Sequence, residues 1–232
     1  MIQISCNDIG FPFTREIFEA DRVLYHGTSS TWADAIDREG LTLRGFETLR
    51  GPAEFLLSTA KDQSITLEFE YDLAQWGLRP RDHRKVISLT PDFWRALNYA
   101  RNRGGELASR ILFSCTELLE NSRVVGTIRR EIKAVASHVG DTTRGCHPVV
   151  YAVETEPEWF DGSWPESPER EREELSWVIE QCCTVDVPAA RLLARADYPA
   201  DLPYVRIPPP SVVVPMDHES AVGYRARERA GR

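Results

Sequence analysis

Three stretches of the chain gather side chains able to do chemistry. The first is Tyr25-His26-Gly27-Thr28-Ser29. A histidine titrates near neutral pH and, uncharged, offers one donor and one acceptor. The glycine beside it allows another backbone or a bound group to come close, and two hydroxyls follow. The second stretch runs from Leu89-Thr90-Pro91-Asp92 to Ala96-Leu97-Asn98-Tyr99-Ala100. Tyr99 has an aromatic face on which a flat heterocycle can stack. The third is Glu180-Gln181-Cys182-Cys183-Thr184-Val185-Asp186-Val187-Pro188. Glu180 stands in an apolar setting, where an unpaired carboxylate is costly to bury, so it either has a function or faces solvent.

Each stretch needs an element to hold it. Residues 23–27 read as a short buried strand. A helix follows, with Thr31 as the expected N-cap and Asp34 completing a capping-box-like pair. Trp32, Ala35 and Ile36 share one face of that helix, and Gly40 with Leu41 supplies its C-terminal stop. Residues 85–90 read as a strand that leads into a helix capped by Thr90 with Pro91 in its first position. Phe55-Leu56-Leu57-Ser58-Thr59 is a second strand candidate, and its Ser-Thr pair competes with Ser88 and Thr90 for the second stretch. The apolar spacing predicts helices over 106–121 and 127–139, read together as a helical pair inserted at about 106–140. Strands are predicted at 148–155 and 177–187, the latter ending at Pro188. Residues 1–20 read as a leader packed on the domain. Residues 1–205 form one expected domain, and 206–232 are a proline-rich and charged tail. No internal repeat is present.

The first stretch, with its strand, its amphipathic helix and Glu39-Gly40-Leu41 at the end, resembles the NAD-binding segment of the ADP-ribosyltransferase superfamily. The second resembles that superfamily's strand-to-helix motif with its A-x-x-Y-A signature. The third matches its late strand, where a glutamate precedes an aliphatic-proline pair. The three occur in the family's order and span roughly residues 22–194 apart from the helical insertion. The likeness is to the histidine-type branch, which includes bacterial toxins and effectors.

That resemblance implies an α+β fold, a split β-sandwich of two small, mostly antiparallel sheets with flanking helices and the inserted helical pair. It implies NAD as co-substrate, bound between the sheets. Glu180 would be the catalytic carboxylate, bonded to the ribose 2′-hydroxyl and stabilising the oxocarbenium character that develops as nicotinamide leaves. His26 would orient the adenosine ribose and Gly27 would grip the nicotinamide amide through its backbone. Thr28 would belong to the same cofactor-binding segment, and Tyr99 would stack on the nicotinamide ring. A macromolecular acceptor, protein or nucleic acid, is implied, and with a toxin role an antitoxin or immunity partner. Serine at position 88, eleven residues before Tyr99, is a feature of the arginine-type branch, which has arginine where His26 stands. Val178 occupies the place where that branch has Gln or Glu, which argues against arginine as the acceptor. The literal Glu171-Arg172-Glu173 lies in an alternating charge run that reads as a solvated segment. In the family the loop before the catalytic glutamate meets the acceptor, so Trp159, Phe160, Trp164 and Trp177 would offer aromatic faces there.

Bulk properties narrow the alternatives. The 232 residues are 42% hydrophobic and 9% aromatic, which places the chain among globular proteins. A formal charge of −8 argues against a general nucleic-acid or membrane-surface binder. Cys6, Cys115, Cys146, Cys182 and Cys183 form no CxxC pair and no zinc-type spacing, so no metal site is expected and the thiols read as free in a reducing compartment. No signal peptide and no apolar run of about 18–20 residues is seen, which leads to the expectation of a cytoplasmic protein. Three other readings stay open. An NAD glycohydrolase would use water as acceptor on the same scaffold. An RNA 2′-phosphotransferase would want an Arg-His pair where Tyr25-His26 stands. A non-catalytic module would keep only the fold.

Overall fold

The computed structural model describes residues 1–7, 10–20, 22–43, 47–74, 87–102, 104–160 and 181–202. Glu180, Trp164, Trp177 and the tail 206–232 lie outside the described residues. In chain order the elements are β1 (Ile2–Ser5), α1 (Arg15–Glu19), β2 (Val23–Ser29), α2 (Ser30–Glu39), α3 (Glu47–Asp62) and α4 (Glu70–Asp72). They continue with β3 (Ile87–Leu89), α5 (Phe93–Ala100), α6 (Glu106–Glu120), α7 (Gly126–Thr142), β4 (Pro148–Glu154), β5 (Gln181–Cys183) and β6 (Leu192–Asp197).

The strands form two sheets. One has the order β1-β6-β4-β2, with β1 parallel to β6 and the other pairs antiparallel; the second is the antiparallel pair β3-β5. β4 is apolar on both faces because both are covered. One face of the large sheet carries Tyr25, Val150, Ala152, Ala194 and Ala196, and packs against α5 and the aromatic leader residues Phe11 and Phe13. The other carries Leu24, Val149, Tyr151, Val153 and Leu192, and meets Ile87, Leu89 and Cys183 of the small sheet. The architecture is thus mixed α+β, with two sheets and helices around them. No helix among the described residues is long and apolar enough to cross a membrane.

Several local expectations are corrected. Residues 54–59 are helical, within α3. Leu49, Ala53, Leu56 and Ala60 recur at helical spacing and are all buried against α6 and α7. The inserted helical pair is therefore two members of a three-helix cluster, and Ser58-Thr59 is on no strand. The α2 N-cap is Ser29, not Thr31: its side chain accepts from the Thr31 N–H. The α5 N-cap is Asp92, not Thr90, with Oδ1 accepting from Trp94 N at 2.9 Å and Arg95 N at 3.3 Å. Thr90 Oγ1 instead accepts from the Asp92 N–H, shaping the turn that leads in. Gly40 does end α2, at φ +87°, where a side chain would be strained and would also strike the Val187 carbonyl.

Candidate functional site

The geometry of the site begins where β2 meets β3. Tyr25 and Thr90 exchange two backbone hydrogen bonds, of 2.8 and 3.0 Å, and so join the two sheets at their edges. An antiparallel ladder would continue with a bonded pair two residues further on, Gly27 with Ser88. It does not continue there. The Ser88 carbonyl accepts from His26 Nδ1 at 2.9 Å instead, and the backbone ladder ends at the Tyr25–Thr90 bridge, leaving the strand edge open at Gly27.

Strand alternation then fixes what the opening contains. Tyr25 turns its N–H and C=O toward β3, so Gly27 turns its own the same way, away from β4. Among the described residues nothing pairs with that donor and acceptor. Ser88 Oγ is also buried there without a hydrogen-bond partner among the described residues. Buried polar groups are normally satisfied, so an open edge with a spare hydroxyl is the kind of place where a polar ligand completes the bonding.

His26 is half-buried, and its bond to a carbonyl requires the proton on Nδ1, which leaves Nε2 as an acceptor. Burial lowers its pKa below the ordinary histidine value, against the raising effect of the bond to Ser88. The ring is thus neutral at physiological pH, suited to accepting a hydroxyl proton in a hydrogen bond. Thr28 is buried on the same face of β2, and its backbone is committed to β4 opposite Val149.

Gly27 is glycine for a reason the sequence left open. A Cβ there would lie 1.7 Å from the Ala96 carbonyl oxygen and 3.1 Å from Ala100 N. The absent side chain lets α5 lie directly on β2, with Ala96 and Ala100 against Gly27 and Tyr99 on the same helix between them in sequence. Tyr99 is half-buried, with the Arg95 guanidinium 5.8 Å from its ring centroid. Glu180 lies outside the described residues, directly before Gln181, which stands in register with Leu89 as Cys182 does with Ser88. Of the aromatic residues expected to face an acceptor, Phe160 is buried in the core between the sheets and bridges Cys183.

A polar network missed in the sequence lies behind His26. His26, Tyr151, Arg195 and Gln3 stand opposite one another in register across all four strands of the large sheet. Tyr151 donates to Asp37 Oδ1 at 2.7 Å, and Arg195 donates to Asp37 Oδ2 at 2.7 Å and to Asp197. His147 Nε2 lies 3.0 Å from Asp197 Oδ1. Burial would raise the Asp197 carboxyl, but bonds from Arg195 and His147 and the Arg195 charge outweigh it and hold it below the ordinary range. Burial, then the bond to Asp37, pushes the Tyr151 hydroxyl well up. The network pins α2, the helix that follows His26, to the face on which His26 stands. The signal was present in Leu192-Leu193-Ala194-Arg195-Ala196-Asp197: two charges in an apolar strand must find partners. Among the described residues no group of three or more His, Cys, Asp or Glu is placed to hold a metal.

No family model, curated protein or solved structure matches the chain.

Proposed function

We propose that the chain is an NAD-dependent ADP-ribosyltransferase with the split two-sheet fold of that superfamily, holding NAD at the opening between β2 and β3. One observation carries this reading. The ladder stops after the Tyr25–Thr90 bridge and leaves the Gly27 N–H and C=O facing the opening. A carboxamide is one donor and one acceptor side by side, which is the complement of a strand edge. Gly27 would take the nicotinamide amide there, and Ser88 Oγ would supply a further hydrogen bond. Tyr99, carried on α5, would offer its ring to the pyridinium, to which an aromatic face is attractive. Neutral His26 would accept from a ribose hydroxyl through Nε2 and so orient the dinucleotide.

NAD supplies an N-glycosidic bond whose cleavage builds positive charge on the ribose. Glu180, next to Gln181 on β5, is the carboxylate we assign to stabilise that charge. The acceptor is a macromolecule.

The test is to incubate the purified chain with adenine-labelled NAD and a cell lysate, measuring nicotinamide release and macromolecular label. Both are expected, and Glu180→Gln is expected to abolish both. Nicotinamide without label would make water the acceptor and the protein a glycohydrolase. Absence of nicotinamide release from the unmodified chain would refute the enzyme reading.

A further inference from the structure

We propose that α7 and the turn before it form a docking surface for an acidic segment of a partner protein. The chain carries a formal charge of −8, yet residues 121–147 contain Arg123, Arg129, Arg130, Lys133 and Arg144 against only Glu131 and Asp141. The first four of these cations are exposed, and none of them forms an ion pair among the described residues. Most described arginines outside this stretch behave differently: Arg15, Arg22, Arg38, Arg50, Arg110, Arg191 and Arg195 each pair with a carboxylate, as Arg144 does within it.

The unpaired arginines are nonetheless held in place. Arg123 donates to the Ser64 carbonyl at 2.8 Å, Arg129 to the Val124 carbonyl at 3.4 Å and Arg130 to Thr127 Oγ1 at 3.1 Å. Neutral acceptors fix a guanidinium without cancelling its charge. Much of the entropy a partner would lose by ordering these side chains is therefore already spent. At about 100° per residue, Arg129, Arg130 and Lys133 fall within roughly 100° of one another around the helix, with Glu131 on the other side of Arg130.

Two features favour a protein over a nucleic acid. Val125, between Arg123 and Arg129 in sequence at the start of α7, is 65% exposed, an apolar contact that suits a side chain better than a phosphate. On α7 the exposed cations are also confined to a short stretch, about 6 Å along the axis from Arg129 to Lys133. Beyond a Debye length of about 8 Å a longer polyanion meets the acidic remainder of the molecule. A short acidic segment with an apolar residue fits both. The surface belongs to the helical cluster, and the inference does not depend on the NAD reading.

The probe is a fluorescein-labelled peptide of about twelve residues, alternating Glu with Leu, followed by anisotropy at about 0.05 M and about 0.3 M salt. A labelled DNA duplex of about twelve base pairs is the comparison. Saturable, salt-sensitive binding of the peptide is expected. Arg130→Glu/Lys133→Glu should weaken it at least about tenfold, whereas Arg15→Glu/Arg50→Glu should leave it within about twofold. Arg130→Gln/Lys133→Gln, which adds no repulsion, should weaken it about threefold or more and serves if the reversal fails to fold. Three results overturn the proposal: no saturable peptide binding at low salt, binding indifferent to the α7 substitutions, or tighter binding of the duplex.

Discussion

Replacing Gly27 with alanine adds one methyl group at the junction of β2 and α5, and its cost follows from the geometry. The new Cβ would lie 1.7 Å from the Ala96 carbonyl oxygen and 2.6 Å from its carbon. Ordinary contact begins near about 3.5 Å, so strand and helix must separate by about 1.8 Å if nothing else moves. Both obstacles are backbone, which has no rotamer to change. Overpacking typically costs about 1–3 kcal/mol, and this contact belongs at the upper end. For a chain of this size about 3 kcal/mol lowers Tm by roughly 6–12 °C. On the proposed NAD reading the displacement also shifts Tyr99, which α5 carries, relative to the Gly27 edge. Misplacement by about 1 Å costs on the order of a hundredfold in rate, so nicotinamide release should fall by about that factor in whatever fraction stays folded. Differential scanning calorimetry measures the first effect and a nicotinamide assay below Tm the second. Gly140→Ala is the control. Its Cβ meets nothing within 4 Å and it lies in α7, so it should gain about 0.5–1 kcal/mol and melt a few degrees higher. A Gly27→Ala protein that melts within about 2 °C of the unmodified chain would show that α5 does not rest on β2 as described.

Other expectations concern the groups around the opening. His26 has its pKa lowered in the folded state, so the unfolded chain takes up the proton first. Its contribution to stability is complete above the unfolded value of about 6.5 and is lost as pH falls below it. Urea unfolding between about pH 5 and pH 7 should show that decline, and His26→Gln should flatten it. Asp92→Ala removes the α5 cap and should cost about 1 kcal/mol, a drop of roughly 2–4 °C in Tm; an unchanged Tm would mean the cap is replaced by water. Arg195→Met leaves Asp37 and Asp197 facing each other across a side chain that was only 10% exposed. That change should cost about 3–5 kcal/mol, read from the urea midpoint. Tyr151→Phe removes the hydroxyl that donates to Asp37 and lies 3.3 Å from the Ala33 carbonyl, while Arg195 still holds the other Asp37 oxygen; it should cost about 1–2 kcal/mol.

The sequence by itself determined those features that depend on local spacing. Leu107, Ile111, Cys115 and Leu118 specify α6 and Ile132 and Val139 specify α7, because helical period alone selects one apolar face. The run Val149-Val150-Tyr151-Ala152-Val153 specifies a strand, which the structure covers on both faces, and Gly40 specifies the end of α2. His26, Gly27 and Tyr99 stood out as residues suited to one site before any contact was known. Tertiary structure decided the rest. Phe55-Leu56-Leu57 is short enough to suit a strand or a helix, and only its burial against α6 and α7 selects the helix. Thr90 and Asp92 are both good caps, and the bridge between Tyr25 and Thr90 commits Thr90 to the sheet junction and leaves the cap to Asp92. Gly27 looked like a residue that admits a ligand, and it is first a residue that admits α5. Where the β2–β3 ladder ends, His26 takes the Ser88 carbonyl across 62 residues of chain. No local pattern encodes that bond, because it exists only once two distant strands have been set in register.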